Sequence, residues 1–397
     1  MFEPTLLEKV RSDTPACLNL IHLHNCGASL MPSVVVDAVK AHIDLESQIG
    51  GYEAEDLATD RINLFYTSAA TMLGCQESEI AFMENATAAW NAVFYGFARS
   101  LNPGEKILTA KAEYASNFIA YLHVARLSGC EVCVVPDDEN GQLDVNALES
   151  MIDSKTKLIS ITHVPTSGGL VNPAQQVGQI ARRFRIPYLL DACQSVGQLN
   201  VNVDEIGCDA LSFTGRKFLR GPRGTGGLYI NKDSMDIFPP MTLDLHSAKW
   251  DSLSSYQVSG GAKRYENWEN NVAGLIGLGV AIDYANSIGF DRIEKRVLCL
   301  AGQLREKLAS LDRVDVLDLG LMKSGIVSFS LHHKTAAELC MFLGAKKVQI
   351  GVSGIGSTRL DFESRQLKSI NRAAVHYFNT EAELDILCEA IIEFCNT

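Results

Sequence analysis

A lysine lies inside a glycine- and arginine-rich segment, SFTGRKFLRGPRGTGG, at residues 212–227. A predicted strand ends at Thr214, and Lys217 follows among backbone N–H groups and positive charges that suit an anion such as a phosphate. Because neighbouring cations disfavour the charged form of a lysine, the amine of Lys217 is freed to attack a carbonyl and form a Schiff base. The alternative interpretation of this segment is a flexible surface loop.

An aspartate closes the apolar strand that precedes this lysine in the sequence. Asp191 begins the segment DACQS, and a buried carboxylate is costly unless it meets a cation such as a protonated pyridine nitrogen. A lysine for an aldehyde, an aspartate for a ring nitrogen and an anion site for a phosphate are what pyridoxal phosphate requires. Gln194 is placed to donate a hydrogen bond to the ring hydroxyl.

A third segment, MENATAAWNAV at residues 83–93, runs from a predicted strand into a predicted helix. A helix N-terminus presents free N–H groups and partial positive charge, so a phosphate fits at Ala86 and Thr87. The alternative is an ordinary Asn or Thr cap with no ligand.

Apolar strands alternate with helical patterns from about residue 60 to 235 and must position these groups. The predicted strands are EIAFM, KILTA, EVCVVP, LISITHV, YLLDAC, ALSFTG and GGLYI. Strands that are apolar throughout and separated by helices predict a mostly parallel sheet covered on both faces. Ligands of such sheets bind at the carboxyl ends of the strands, where several polar residues fall: Thr87, Glu113, Tyr114, Thr166, Asp191 and Gln194.

The pattern changes near residue 280. One long helix, YANSIGFDRIEKRVLCLAGQLREKLASL, precedes the short strands VDVLDL, GIVSFSL and VQIGVS and a closing helix. We therefore expect a large domain at 15–280 and a small α+β domain built from 1–14 and 281–397, meeting over the same strand ends.

Composition excludes several classes of function. The 397 residues carry a net charge of −12 and no Lys/Arg-rich run, which argues against nucleic-acid and anionic-membrane partners. The apolar stretches fall far short of the roughly 20 residues that span a bilayer. The N-terminus does not read as a signal or transit peptide, so a cytoplasmic protein is expected. The single C-x-x-C pair, Cys130 and Cys133, reads as core thiols, and no metal site is expected.

Taken together, these motifs make the chain resemble the class V, fold-type-I pyridoxal-phosphate enzymes, which include cysteine desulfurases, isopenicillin-N-epimerase-like proteins and carbon–sulfur lyases. The resemblance covers nearly the whole chain and rests on ten motifs in order: HNCGASLMP, IGGYEA, ENATAAWNAV, AEYASN, THVPTSGGLVNP, DACQSVGQ, TGRKFLRGPRGTG, RYENWE, STRLDFE and NRAAVHYFNTEAELD. It implies a seven-stranded, mostly parallel sheet, a smaller C-terminal α+β domain and pyridoxal 5′-phosphate as cofactor.

The resemblance also implies roles for individual residues. Lys217 forms the Schiff base, Asp191 meets the pyridinium, and Gln194 meets the ring oxygen. Tyr114 falls near the ring-stacking position and stands with Lys217 and Asp191 as a catalytic residue. The implied phosphate pocket consists of Ala86, Thr87, Thr214 and Arg216.

Arg372 matches the family arginine that grips the substrate α-carboxylate, and a bidentate guanidinium suits that task because it fixes the carboxylate plane. Asn25, Tyr52 and Thr166 are expected to line the substrate side. RYENWENN, at residues 264–271, corresponds to a segment that in relatives reaches the partner subunit's phosphate, so a homodimer with shared sites is implied. His246 and His376 are read as structural histidines.

Two departures from the family pattern bear on the reaction. Arg216 stands where the family usually has a histidine, and its permanent charge would pair more firmly with phosphate. Cysteine desulfurases carry a mobile cysteine after a small-domain strand, whereas here that region reads QIGVSGIGSTRLDFE. The nearest cysteine, Cys340, belongs to the preceding helical stretch.

The preferred hypothesis is therefore a β-lyase that cleaves a cysteine S-conjugate or its sulfoxide to a thiol or sulfenate, pyruvate and ammonia. IGGYEA, RYENWE and STRLDFE resemble the branch with cysteine-conjugate sulfoxide lyases. Cysteine desulfurase, aminotransferase and amino-acid epimerase stay open as alternatives, the last because Tyr114 could act as the opposing acid. A dinucleotide-binding oxidoreductase is disfavoured because MENATAAW lacks G-x-G-x-x-G, and a non-catalytic cofactor-binding regulator would not need both Lys217 and Arg372.

Overall fold

A computed structural model describes residues 2–396. It contains fifteen strands in the described part of the chain: β1 (Ile21–His22), β2 (Ile80–Met83), β3 (Lys106–Ala110), β4 (Glu131–Val135), β5 (Thr156–Thr162), β6 (Tyr188–Asp191), β7 (Ala210–Thr214), β8 (Gly226–Ile230), β9 (Ala248–Ser252), β10 (Ser255–Val258), β11 (Val314–Val316), β12 (Ile326–Leu331), β13 (Val348–Gln349), β14 (Gly351–Gly354) and β15 (Ser369–Ala374). The helices of the same residues are α1 (Pro4–Ser12), α2 (Ser33–Ile49), α3 (Gly51–Leu57), α4 (Thr59–Leu73), α5 (Ala86–Ala98), α6 (Ala115–Ser128), α7 (Val145–Met151), α8 (Ala174–Phe184), α9 (Val203–Ile206), α10 (Val272–Ile288), α11 (Phe290–Ala309), α12 (Ala336–Ala345), α13 (Arg359–Ser364) and α14 (Glu381–Cys395).

The large sheet confirms the predicted α/β class. Its seven strands lie in the order β2-β8-β7-β6-β5-β3-β4 and are those predicted from the sequence. The neighbours from β7 through β6, β5 and β3 to β4 are parallel, and only β8 runs antiparallel to its partners β7 and β2. The mostly parallel arrangement brings the polar residues that follow β3, β5, β6 and β7 to one edge.

Both faces of this sheet are buried, which explains why its strands are apolar throughout. Successive side chains of a strand point to opposite faces. Leu189 belongs to the same hydrophobic cluster as Trp90 of α5 and Tyr121 of α6, whereas Leu190 belongs to a second cluster that includes Val177 of α8 and Leu278 of α10. Two helical layers thus hold the sheet from either side.

A second, four-stranded antiparallel sheet has the order β11-β12-β15-β14 and packs with α11, α12 and α14. The start of the chain joins this unit, because Val10 and Leu23 lie in its core and β1 pairs with β13. The first 23 residues therefore contact the small unit over a longer stretch than the predicted 1–14, and residue 280 falls inside α10. The domain boundaries themselves stay a prediction.

The prediction of one long helix from residue 284 is wrong, because this stretch belongs to two helices, α10 and α11. The chain bends by 81° between α10 and α11. Gly289 lies at the break with φ +92°, a left-handed conformation that favours glycine. Between residues 2 and 396 no single helix is long and apolar enough to cross a membrane, and the bent pair α10–α11 passes that test by length and composition only.

Candidate active site

A cleft that is partly open to solvent lies at the carboxyl edge of the large sheet. The structure brings nine of the predicted site residues into its lining: Ala86, Thr87, Tyr114, Thr166, Asp191, Gln194, Thr214, Arg216 and Lys217. Asn117, Thr162 and Cys193 line it as well, although the sequence did not assign them roles.

Lys217 reaches the cleft from a tight turn after β7. The turn is closed by two backbone hydrogen bonds, in which Gly215 donates to Thr225 at 2.9 Å and Gly221 donates to Gly215 at 2.8 Å. The Lys217 side chain is buried, and its Nζ donates to Cys193 Sγ at 3.3 Å. Within residues 2–396 this thiol is the hydrogen-bond partner of the amine, and a buried amine so placed is suited to covalent bonding with a carbonyl ligand.

From the sequence, the basic residues of this turn were predicted to surround an anion. This prediction is wrong for Arg220. This side chain points away from the cleft and is buried. Its guanidinium donates to Tyr377 Oη at 2.7 Å, to the Leu30 carbonyl at 2.8 Å and to Thr14 Oγ1 at 2.5 Å. Arg220 therefore joins the lysine turn to the N-terminal segment and the small unit. The cleft receives only Arg216 and Lys217 from the basic residues of the turn.

Asp191 is a buried carboxylate at the floor of the cleft. Its Oδ1 accepts a hydrogen bond from the Cys193 N–H at 2.9 Å, and its Oδ2 accepts one from Asn117 Nδ2 at 2.8 Å. Burial raises the pKa of Asp191. Within residues 2–396 it has no ion-pair partner, and a protonated ring nitrogen would supply the missing cation.

Gln194 offers an unpartnered polar atom in the same cleft. Its Nε2 donates to the Cys26 carbonyl and to Thr166 Oγ1, both at 3.1 Å. Its Oε1 is buried and has no hydrogen-bond partner among residues 2–396. A buried unpaired acceptor is costly, so a ring hydroxyl that donates to Oε1 fits this position, and Gln194 would accept this bond and not donate it as the sequence predicted.

The start of α5 has the form of a phosphate site. Asn85 caps the helix by accepting a hydrogen bond from the Ala88 N–H at 2.8 Å, and the first intrahelical bond starts only at Ala89. The Ala86 and Thr87 amides therefore remain available to an anion. A Cβ at Gly226 would lie 3.0 Å from the Ala86 nitrogen, so only glycine allows this close approach of β8.

These groups together fit pyridoxal phosphate. An amine for the aldehyde, a carboxylate for the ring nitrogen, an acceptor for the hydroxyl and a helix start for the phosphate share one cleft. Arg216 stands at the same edge, with its Nη1 hydrogen-bonded to the Gly27 carbonyl.

Arg372 approaches the cleft from the small unit. It lies on β15 between Ser328 of β12 and Gly351 of β14. Its Nη1 donates to the carbonyl and, at 3.2 Å, to the hydroxyl of Thr166, while its buried Nε has no partner in the described part of the chain. An arginine with an unused donor beside the cleft is suited to a carboxylate ligand.

Asn25 and Tyr52 do not line the cleft of this chain, and their placement on the substrate side stays a prediction. Asn25 is buried outside the cleft lining, and its amide is used by the chain: Nδ2 donates to the Ala374 carbonyl at 2.7 Å and Oδ1 accepts from Ser29 at 2.7 Å. Tyr52 lies on the outer side of α3 with 71% of its surface exposed. Asn25 therefore fixes the end of β15, two residues from Arg372, and contributes through backbone position.

The two unassigned histidines lie outside the cleft lining. His376 is buried, its Nε2 contacts the Phe218 carbonyl at 2.9 Å, and burial lowers its pKa well below the usual value. His246 pairs with Glu266 at 3.0 Å, and that hydrogen bond raises the pKa of His246.

The sequence matches the family model described as aminotransferase class-V over residues 21–387. A probable cysteine desulfurase from Methanothermobacter thermautotrophicus is 29% identical over 392 residues, which cover 97% of each chain. A probable cysteine desulfurase from Pyrococcus abyssi is 28% identical over 382 residues, covering 95% of each.

Solved structures share the fold. The apo cysteine desulfurase from Thermococcus onnurineus NA1 superposes with a TM-score of 0.91 at 27% identity, over 98% of this chain and 97% of that one. The cystine C–S lyase C-DES, solved as a complex with its reaction product cysteine persulfide, has a TM-score of 0.85 at 21% identity, over 95% of this chain and 98% of that one.

Proposed function

Because the chain belongs to the class-V aminotransferase family of pyridoxal-phosphate-dependent enzymes, we propose that it is a carbon–sulfur β-lyase. Its substrate is a cysteine derivative with a sulfur leaving group, an S-conjugate or the corresponding S-oxide. The products are the thiol or sulfenate, pyruvate and ammonia.

The residues of the cleft have separate roles in such a reaction. Arg372 binds the α-carboxylate and fixes its plane, which aims the Cα–H bond at the amine of Lys217. Lys217 then removes that proton as the general base. Asp191 holds the ring nitrogen protonated, and the bound cofactor supplies an acceptor for the electron pair left at Cα. Tyr114, at the cleft wall, contributes the aromatic face.

The observation that carries the lyase assignment is the position of the cysteines. Residues 350–358, which follow α12, contain serines and no cysteine. Cys340 lies on α12, where its Sγ contacts the Ile350 carbonyl at 3.7 Å and Asn371 Nδ2 at 3.5 Å, behind β15. Without a thiol on that segment, the sulfur fragment leaves directly as a small molecule.

The cysteine inside the cleft does not replace the missing one. Cys193 lies beside Lys217 on the floor of the cleft, and burial raises the pKa of its thiol. Since the thiolate is the nucleophile, a thiol held protonated is a poor acceptor of sulfur.

Cysteine desulfurase is the second candidate function. It is supported by the names of the relatives from Methanothermobacter thermautotrophicus and Pyrococcus abyssi, both probable cysteine desulfurases. This reaction would yield alanine and a protein-bound persulfide, so its products differ from those of a β-lyase.

The products therefore test the proposal. The purified holoenzyme is mixed with cysteine, cystine, cysteine S-conjugates and their S-oxides, and pyruvate, alanine and protein persulfide are measured. We expect stoichiometric pyruvate and ammonia from a conjugate or S-oxide, and none with Lys217→Ala. Alanine with persulfide would instead establish the desulfurase, and inversion of the amino acid without pyruvate an epimerase.

We further propose that two copies of the chain associate. The segment 243–268, which includes the β9–β10 hairpin, exposes several large apolar side chains: Leu245, Trp250, Leu253, Tyr256 and Trp268. Leu253 is 96% exposed at the tip of the hairpin. Such a concentration of exposed apolar surface is typical of an interface, and a second copy would cover it.

A further inference from the structure

Behind the cleft wall lies a second buried carboxylate, Glu113, which the reaction above does not use. It follows β3, is only 3% exposed and does not itself line the cleft. Within residues 2–396 no lysine, arginine or histidine forms an ion pair with it. A buried carboxylate with no cation nearby destabilises the protein unless neighbouring groups donate hydrogen bonds to it.

Glu113 accepts four hydrogen bonds. Oε1 accepts from the Tyr114 N–H at 2.7 Å, from Asn117 Nδ2 at 3.0 Å and from the Thr162 hydroxyl, and Oε2 accepts from the Thr109 hydroxyl at 3.0 Å. Three of these donors, on Tyr114, Asn117 and Thr162, belong to residues that line the cleft. Glu113 thus holds one wall of the cleft from behind, and its surroundings are those of an ionised acid.

Asn117 connects this group to the cofactor side. The same Nδ2 that donates to Glu113 at 3.0 Å donates to Asp191 Oδ2 at 2.8 Å. An amide nitrogen carries two N–H bonds, so one serves each carboxylate. The two acids therefore lie on either side of a single amide, and both Asn117 and Asp191 line the cleft.

We propose that Glu113 is a positioning residue for the cofactor: through the Asn117 amide it orients the Asp191 carboxylate, and it places a second negative charge behind the ring nitrogen. That charge increases the proton affinity of the bound cofactor. The inference depends on the family cofactor and not on which carbon–sulfur bond the enzyme cuts.

The charged neighbours of Glu113 support this role. The titratable groups that face it are Asp191 on β6 and Tyr121 on α6, and burial raises the pKa of Tyr121 well above its usual value, so that it stays neutral. Burial, with the charge of Asp191, raises the pKa of Glu113 to about 7. A cation on the ring would offset the repulsion between the two acids and favour the ionised form of Glu113.

The substitution Glu113→Gln removes the negative charge of Glu113 while it keeps the shape of the side chain. The glutamine oxygen can keep the three bonds of Oε1, and its NH₂ group can donate to Thr109 if that hydroxyl rotates. Removing a negative charge lowers the pKa of a nearby cation. We therefore expect the pH midpoint of the visible absorption of the Lys217-bound cofactor to fall by about 0.5–1 unit in the substrate-free holoenzyme, with the thermal midpoint nearly unchanged.

The matched control is Glu79→Gln. Glu79 is also a buried glutamate that accepts backbone N–H bonds, from Gln76 at 3.0 Å and Lys232 at 2.9 Å, but it precedes β2 at the opposite edge of the sheet. The pH midpoint of the visible absorption of the Glu79→Gln variant should match that of the unmodified holoenzyme. Equal midpoints for Glu113→Gln and the unmodified protein would overturn the proposal.

Asn117→Ala gives a second measurement that does not require the Glu113→Gln variant to fold. It leaves Asp191 with the Cys193 N–H bond alone, so pyridoxal phosphate should dissociate several-fold faster during dialysis. An unchanged dissociation rate contradicts the proposal. Since no substrate is used, failure of the lyase reaction would leave these results standing.

Discussion

At the scale of single residues, Thr166 joins the two halves of the candidate site. Its hydroxyl accepts hydrogen bonds from Gln194 on the cofactor side and from Arg372 on the substrate side, at 3.1 and 3.2 Å. Its carbonyl also accepts from Arg372. The guanidinium is therefore held through Nη1, while its Nε has no partner within residues 2–396, which fixes the direction from which a carboxylate is bound.

Arg372→Lys should separate charge from shape at this position. Lysine keeps the positive charge but cannot form two parallel N–H···O bonds, so kcat/KM should fall by about 10–100-fold, mainly through KM. Steady-state kinetics with the lyase substrate measure this. Arg365→Lys is the control, because Arg365 bonds to Asp361 and Leu317 away from the cleft and should leave KM unchanged.

Site residues that directly follow a strand could be predicted from the sequence. Residues whose role depends on a contact with a distant part of the chain could not. Asp191 and Gln194 lie where an apolar strand of a parallel sheet stops, so their convergence was predictable. Asn117 lies in the first turn of α6, and only the folded chain shows that its amide faces Asp191. The hydrogen bond of the Asn25 amide to the Ala374 carbonyl was not predictable either, because the two residues are 349 positions apart.

At the scale of elements, the sheet strands were predictable and the helix break was not. The strands of the large sheet are apolar throughout, and this pattern can be recognised without knowing which side chains pack together. Residues 284–311 carry an apolar periodicity through Gly289, so the pattern alone favours one helix. Strand β15 was missed because its hydrogen-bonding partners, β12 and β14, are separate segments of the sequence.

Gly289→Ala should destabilise the protein. A methyl group there meets no atom within 4 Å, so the cost comes from holding alanine at φ +92° and is about 1–3 kcal/mol of unfolding free energy. Gly302→Ala is the control, because Gly302 lies inside α11 with no atom within 4 Å of the added methyl and should gain about 0.5–1 kcal/mol. Urea unfolding measures both, and equal effects would refute the explanation of the bend.

At the scale of the whole molecule, the exposed hairpin predicts the oligomeric state. We expect a dimer at micromolar concentration by light scattering, and a shift to monomer when Trp250 and Leu253 are both changed to Asp, because two charges would be buried in the interface. Met341→Asp, on the exposed face of α12, should leave the dimer intact. A wild-type monomer would refute this proposal while leaving the cleft geometry unchanged.

The position of Arg220 has a consequence for the order in which the protein folds. Its backbone has φ +61°, an unfavourable conformation for a side chain of this size. The groups that hold it there are Thr14, Leu30 and Tyr377, from opposite ends of the chain. The final shape of the segment with Lys217 thus depends on contacts from both ends of the chain, and we expect competence to bind the coenzyme to appear late when the chain refolds.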